Sequence, residues 1–255
     1  MASLGSTLGP STERGWSLTL FPGAGEGGGS WSSGNGRMLG TRPEGPAADP
    51  ERSAREAAQR AASKIRRYCA HNRLNRLGTL TYAGDGNHDP AALRLDLGEF
   101  FRALRAGLGG KPLPYLWVPE WHGGGHGLHA HIAVGRYVQR SVLADSWGRG
   151  FVHIKLLGDL PVGSGKLAEA RKAAGYLSKY VSKDIGQERT RGGPALHRYE
   201  VAQGFQPTSV RLHGRHLGDV LDEATAVMGG RPAQVWQSQI ADGWLGPPSV
   251  WASWD

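Results

Sequence analysis

The chain has 255 residues, enough for one domain or one domain plus a tail, and 39% of them are hydrophobic. Its net charge of +8 favours an anionic partner such as nucleic acid. A single cysteine, Cys69, excludes an intrachain disulfide and any zinc site built on two or more cysteines, as suits a reducing cytosol. No apolar run approaches the ~18 residues a membrane helix needs, and the N-terminus lacks a secretory pattern. The expectation is a basic cytoplasmic protein.

Residues 1–48 are rich in Gly, Ser and Pro, with Gly27-Gly28-Gly29-Ser30 in their midst, and read as a flexible tail. Asp49-Pro50 then opens a helix, Asp as cap and Pro in the first turn. Ala54, Ala57, Ala61, Ile65 and Tyr68 mark its apolar stripe. Arg52, Arg55, Arg60, Lys64, Arg66 and Arg67 make its other face basic, either a solvated face or a phosphate-contacting one.

Leu77–Ala83 reads as a strand, and Leu93, Leu97, Phe100, Phe101, Leu104 and Leu108 as a helical stripe that opens at Pro90. Tyr115–Trp121 and Leu128–Val134 are two strands around Gly123-Gly124-Gly125. Val138–Trp147 is a short helix, Phe151–Leu156 a strand and Lys166–Lys183 a helix. The inner β-α-β-β-α-β order is that of an α+β, ferredoxin- or RRM-like antiparallel sheet with helices on one face. A nuclease-sized core is expected over 49–190, with 191–255 as a C-terminal extension of the same domain. That extension holds a strand near Ser209–Leu212, a helix over Leu217–Met228 and a Trp-rich end without clear period.

Four histidines fall between His122 and His131. In Leu-His-Ala-His-Ile, His129 and His131 project from one face of a strand. A symmetric turn at Gly124-Gly125 sets Glu120 opposite His129 and Val118 opposite His131, with Cβ atoms of direct partners ~5 Å apart. Glu120, His129 and His131 then form a two-His-one-carboxylate set suited to Mn²⁺ or Mg²⁺. His122 and His126 read as loop residues, His126 being the substitute ligand if a bulge shifts the register.

On the last strong helix Tyr176 and Tyr180 lie four apart on one face, with Lys172, Lys179 and Lys183 around them. Two phenols among ammonium groups suit a nucleophile. Two tyrosines packed on a sheet, with lysines in solvent, is the plainer reading. Gly163-Ser164-Gly165-Lys166 is not a P-loop, because Leu160 and Leu167 stand where Gly and Ser or Thr are required.

Taken in order, Gly78-Thr79-Leu80-Thr81-Tyr82, then Glu120 with His129-Ala130-His131, then Tyr176-x-x-x-Tyr180-x-x-Lys183 resemble the HUH-class endonucleases. Within them the set is similar to rolling-circle replication initiators (Rep proteins) of plasmids and single-stranded DNA phages. Trp147-Gly148-Arg149-Gly150-Phe151-Val152 resembles a segment that such initiators carry between their second and third motifs. Conjugative relaxases place the tyrosine before the histidines; here it follows.

The resemblance covers roughly residues 55–185. It implies a metal on Glu120, His129 and His131, and Tyr180 as nucleophile on the scissile phosphate. It also implies Tyr176 as second nucleophile or helper, and Lys183 and Lys179 as supports for phenolate or phosphate. The implied reaction nicks an origin through a 5′-phosphotyrosine and frees a 3′-OH for a polymerase. Its implied partners are single-stranded DNA or an origin hairpin, with host helicase and polymerase. A two-tyrosine transposase and a non-catalytic RRM-like nucleic-acid binder are the alternatives.

Overall fold

The structure is a computed structural model and describes residues 14–34, 49–156, 165–183, 198–244 and 246–255. The chain forms two compact units, one over Pro46–Pro207 and the other from Met1–Gly45 with Thr208–Asp255. The first two strands, β1 (Gly15–Phe21) and β2 (Glu26–Ser32), belong to the terminal unit.

The central unit opens with α1, Pro50–His71, whose cap Asp49 accepts the Arg52 N–H at 2.9 Å. Then come β3 (Arg76–Tyr82), α2 (Pro90–Gly107), β4 (Tyr115–Trp121), β5 (Leu128–Val134), α3 (Arg140–Trp147), β6 (Gly150–Leu156), α4 (Gly165–Lys183) and β7 (Glu200–Val201). Asp89 caps α2 through the Ala91 N–H at 2.8 Å, and Leu93, Leu97, Phe100, Phe101 and Leu104 are its buried stripe. The strands form one antiparallel sheet in the order β6-β3-β5-β4-β7. This is the expected α+β architecture, an open sheet with helices packed on it.

The helices cover both faces, not one. On the first face α2 and α3 pack Leu97, Phe100, Leu143 and Trp147 against Leu80, Trp117, Ala130 and Ile132. On the second, α1 and α4 pack Ile65, Cys69, Ala173, Ala174 and Leu177 against Leu77, Leu116 and Ala133. The flanking helices α1 and α4, outside the inner β-α-β-β-α-β unit, supply this second layer. Every residue of β5 is therefore buried, histidines included. No described helix is long and apolar enough to cross a membrane.

The terminal unit corrects the expectation of a loose N-terminal tail and a C-terminal extension of the core. Strands β1 and β2 form an antiparallel hairpin. They join β8 (Val210–Gly214), β9 (Gln234–Gln237) and β10 (Ser249–Ser253) in a sheet of order β8-β1-β2-β10-β9. Helix α5, Leu217–Met228, adds Val220 and Ala224 to a core of Trp16, Leu18, Leu20, Leu212, Val250, Ala252 and Trp254. The two ends of the chain thus build one sheet. Of the segment first read as a tail, residues 1–13 and 35–48 lie outside the described residues.

Candidate active site

The β4–β5 hairpin sets the site. His122 N–H donates to the Gly127 carbonyl at 2.8 Å, and Gly125, at φ +82°, takes the left-handed turn position. Gly127 is also left-handed, and a Cβ there would stand 2.2 Å from the Asn87 carbonyl oxygen. Only glycine lets the loop at Asn87 lie against the hairpin, where its carbonyl accepts the Leu128 N–H at 2.6 Å. The resulting register pairs Glu120 with His129 and Val118 with His131, as turn symmetry requires.

Both imidazoles turn their Nε2 atoms to one oxygen of Glu120. Oε2 stands 2.8 Å from His129 Nε2 and 2.7 Å from His131 Nε2, and the two nitrogens are 3.2 Å apart. His129 and His131 are only 8% and 5% exposed. Thr79 Oγ1 lies 3.2 Å from His131 Nδ1 and holds the ring from its far side. Two imidazole nitrogens and a carboxylate oxygen converging in this way fit a divalent ion, which with three protein donors keeps open positions. His126 is occupied elsewhere, its Nε2 3.0 Å from the Tyr82 carbonyl oxygen, and His122 Nδ1 accepts the Gly124 N–H.

Helix α4 brings the tyrosines to this cluster. Ala173, Ala174 and Leu177 are fully buried in the second-face core, which seats the helix with Tyr176 and Tyr180 toward the sheet. The Tyr180 ring stacks on the His131 imidazole, centroids 3.8 Å apart and planes at 19°. Its hydroxyl donates to the Tyr176 hydroxyl at 2.6 Å. Burial, this hydrogen bond and the negative charge of Glu120 together hold the Tyr180 phenol above its ordinary pKa.

Glu120, His129, His131, Tyr176 and Tyr180 therefore meet in one place. Lys179 is solvent-exposed on α4, and the Lys183 side chain lies outside the described residues. On α1, Arg52, Arg55, Arg60 and Lys64 are exposed, while Arg66 and Arg67 are half-buried. Arg52 and Arg60 pair with Glu56, and Arg55 with Glu51. Of the other basic segments, Arg189–Arg191 lies outside the described residues, and Arg211 and Arg215 belong to the terminal unit. Sequence reasoning gave Thr79 no role. Its signal is a hydroxyl on a strand that pairs with β5, directly opposite His131.

No curated protein and no solved structure matches the chain. Residues 75–185 match the family model of the replication-associated protein of the ORF2 type. That stretch begins just before β3, ends just beyond α4 and holds the whole Glu-His-His-Tyr-Tyr constellation. The match supports a replication initiator of the Rep type.

Proposed function

We propose that the chain is a metal-dependent, site-specific endonuclease and strand transferase for single-stranded DNA, which nicks a replication origin to start rolling-circle replication. The observation that carries this reading is the stacking of Tyr180 on His131. It joins a nucleophile candidate to a metal-ligand cluster from a distant part of the sequence. The family match to a replication-associated protein supplies the biological setting.

Glu120, His129 and His131 would hold the ion, Mn²⁺ or Mg²⁺. When bound, it supplies Lewis acidity toward the scissile phosphate and positive charge that offsets Glu120. The remaining work belongs to the chain. Stacking on His131 fixes the Tyr180 ring, and the hydrogen bond to Tyr176 fixes its hydroxyl. Tyr180 Oη forms the bond to phosphorus as the bond from phosphorus to the 3′-oxygen breaks. The phenol's proton ends on the released 3′-oxygen. The phosphotyrosine retains the phosphodiester's energy, so a 3′-OH reverses the step and joins strands without a nucleotide cofactor. Arg52, Arg55, Arg60, Lys64, Arg66 and Arg67 would contact backbone phosphates, and Lys179 and Lys183 would steady the phosphate near the phenols.

The test is incubation with a labelled library of single-stranded oligonucleotides and Mn²⁺. The expected product is an SDS-resistant protein–DNA adduct, lost with EDTA and in His129→Ala. Tyr180→Phe loses it, whereas Tyr176→Phe retains adduct formation at a reduced rate. An adduct that persists in Tyr180→Phe and disappears in Tyr176→Phe reverses the assignment of the nucleophile. No adduct from the wild-type chain with any sequence favours a non-catalytic binder.

A further inference from the structure

The sheet does not end at the cluster. Thr79 pairs with His131 on one side and with His153 of β6 on the other. Thr81 pairs with Phe151 of β6. By the alternation of a strand, Thr79, Thr81, Phe151 and His153 all point to the sheet face that carries His129 and His131. Helices α1 and α4 cover this face over Leu77, Ala133 and Leu116. Towards β6 the cover stops: Thr79 and Thr81 are half-buried, His153 is exposed and Phe151 is 71% exposed. Phe151 lies outside the packed core of either face.

An uncovered patch of phenyl, imidazole and hydroxyl groups thus continues the cluster's own face to the edge of the sheet. Phe151 stands two strand spacings from β5, about 10 Å. A phenyl ring held in water on a rigid strand, beside imidazole and threonine hydroxyls and with no carboxylate in the row, suits a planar base on an anionic backbone. It suits an acidic or a purely apolar peptide less well. The net charge of +8 agrees with a polyanionic occupant.

We infer that this patch is a base-stacking platform for single-stranded nucleic acid. Phe151 takes the face of a base near the phosphate held at the cluster, and His153 contacts the adjoining backbone. The inference rests on the proposed function for the identity of the cluster's substrate, and it adds a positioning site that the cluster and the tyrosines do not contain. Sequence-tolerant stacking of bases on aromatic side chains is how such strands are commonly held.

The test uses the full chain in EDTA, so that cleavage does not enter, with fluorescein-labelled oligothymidylate and with a single strand carrying 2-aminopurine. Phe151→Ala is expected to weaken binding about tenfold, the loss of one stacked base. It should also abolish the quenching of 2-aminopurine that accompanies binding. Phe151→Trp should restore both. Unchanged affinity and quenching in Phe151→Ala overturn the inference. So does a loss that Phe151→Trp fails to rescue. A wild-type chain that forms no adduct with Mn²⁺, yet shows the Phe151-dependent binding, sinks the nickase reading and leaves the platform standing. An adduct with no Phe151 dependence does the reverse.

Discussion

At the scale of single residues, the cluster depends on a side chain that is no ligand. Thr79 reaches His131 Nδ1 from β3, so that Nε2 is the atom presented to Glu120. An outer partner of this kind fixes ring orientation, and its removal commonly costs about 10- to 100-fold in metal affinity. Thr79→Val keeps the volume and the β-branch and removes the hydroxyl. Calorimetric titration with Mn²⁺ should show roughly tenfold weaker binding, with the fold intact by circular dichroism. Equal affinity would show that packing alone orients His131. This residue was not legible as a participant because its role depends on pairing between β3 and β5, strands far apart in the sequence. The ligands themselves were legible. Alternation within one strand and the symmetry of one short turn are local properties, and they suffice to align Glu120, His129 and His131.

At the scale of elements, α1 carries two groups that folding keeps neutral. Cys69 is fully buried and Tyr68 nearly so, and desolvation pushes both well above their ordinary pKa. The Tyr68 hydroxyl donates to the Ala202 carbonyl at 3.1 Å, which ties α1 to the chain just after β7. In the unfolded chain the thiol and phenol release protons near about pH 8.5 and about 10. The folded state binds these protons more tightly, so their stabilising contribution is complete below about pH 8 and falls as pH rises. The urea midpoint of the central unit should therefore drop between about pH 8 and 10.5, and Cys69→Ala should flatten the lower part of that fall. Cys69 should react with a thiol reagent only after unfolding. A midpoint that holds level across this range would contradict the burial of both groups. The helix itself was plain in the sequence, from its Asp-Pro start and apolar stripe. The face it covers was not, because periodicity marks a buried stripe without naming its partner.

At the scale of the whole molecule, the lesson lies in the glycines, which number 40. Gly27, Gly28 and Gly29 resemble a linker by composition, yet they form the middle of β2. Their lack of side chains is a packing requirement set by distant partners. A Cβ on Gly27 would stand 2.4 Å from a Leu20 methyl, and one on Gly28 would stand 2.8 Å from the Val250 carbonyl oxygen. Gly29 is the tightest, its Cβ falling 1.8 Å from the Ser17 carbonyl oxygen and 2.8 Å from the Leu18 Cα. Because β10 comes from the far end of the chain, no local pattern announces this sheet. Gly29→Ala should force β2 off β1 and destabilise the terminal unit by about 3 kcal/mol or more, beyond ordinary overpacking. Hydrogen exchange on the full chain reads the effect. Amides of β1, β2, β8 and β10 should lose protection, while β3, β5 and α2 in the central unit keep theirs. Gly175→Ala gives the opposite sign. Gly175 lies inside α4 with nothing within 4 Å of a new Cβ, so alanine there should stabilise by roughly 0.5–1 kcal/mol. If Gly29→Ala leaves the terminal amides protected, residues 26–32 do not pair as the central strand of that sheet, and the linker reading of the glycine run returns.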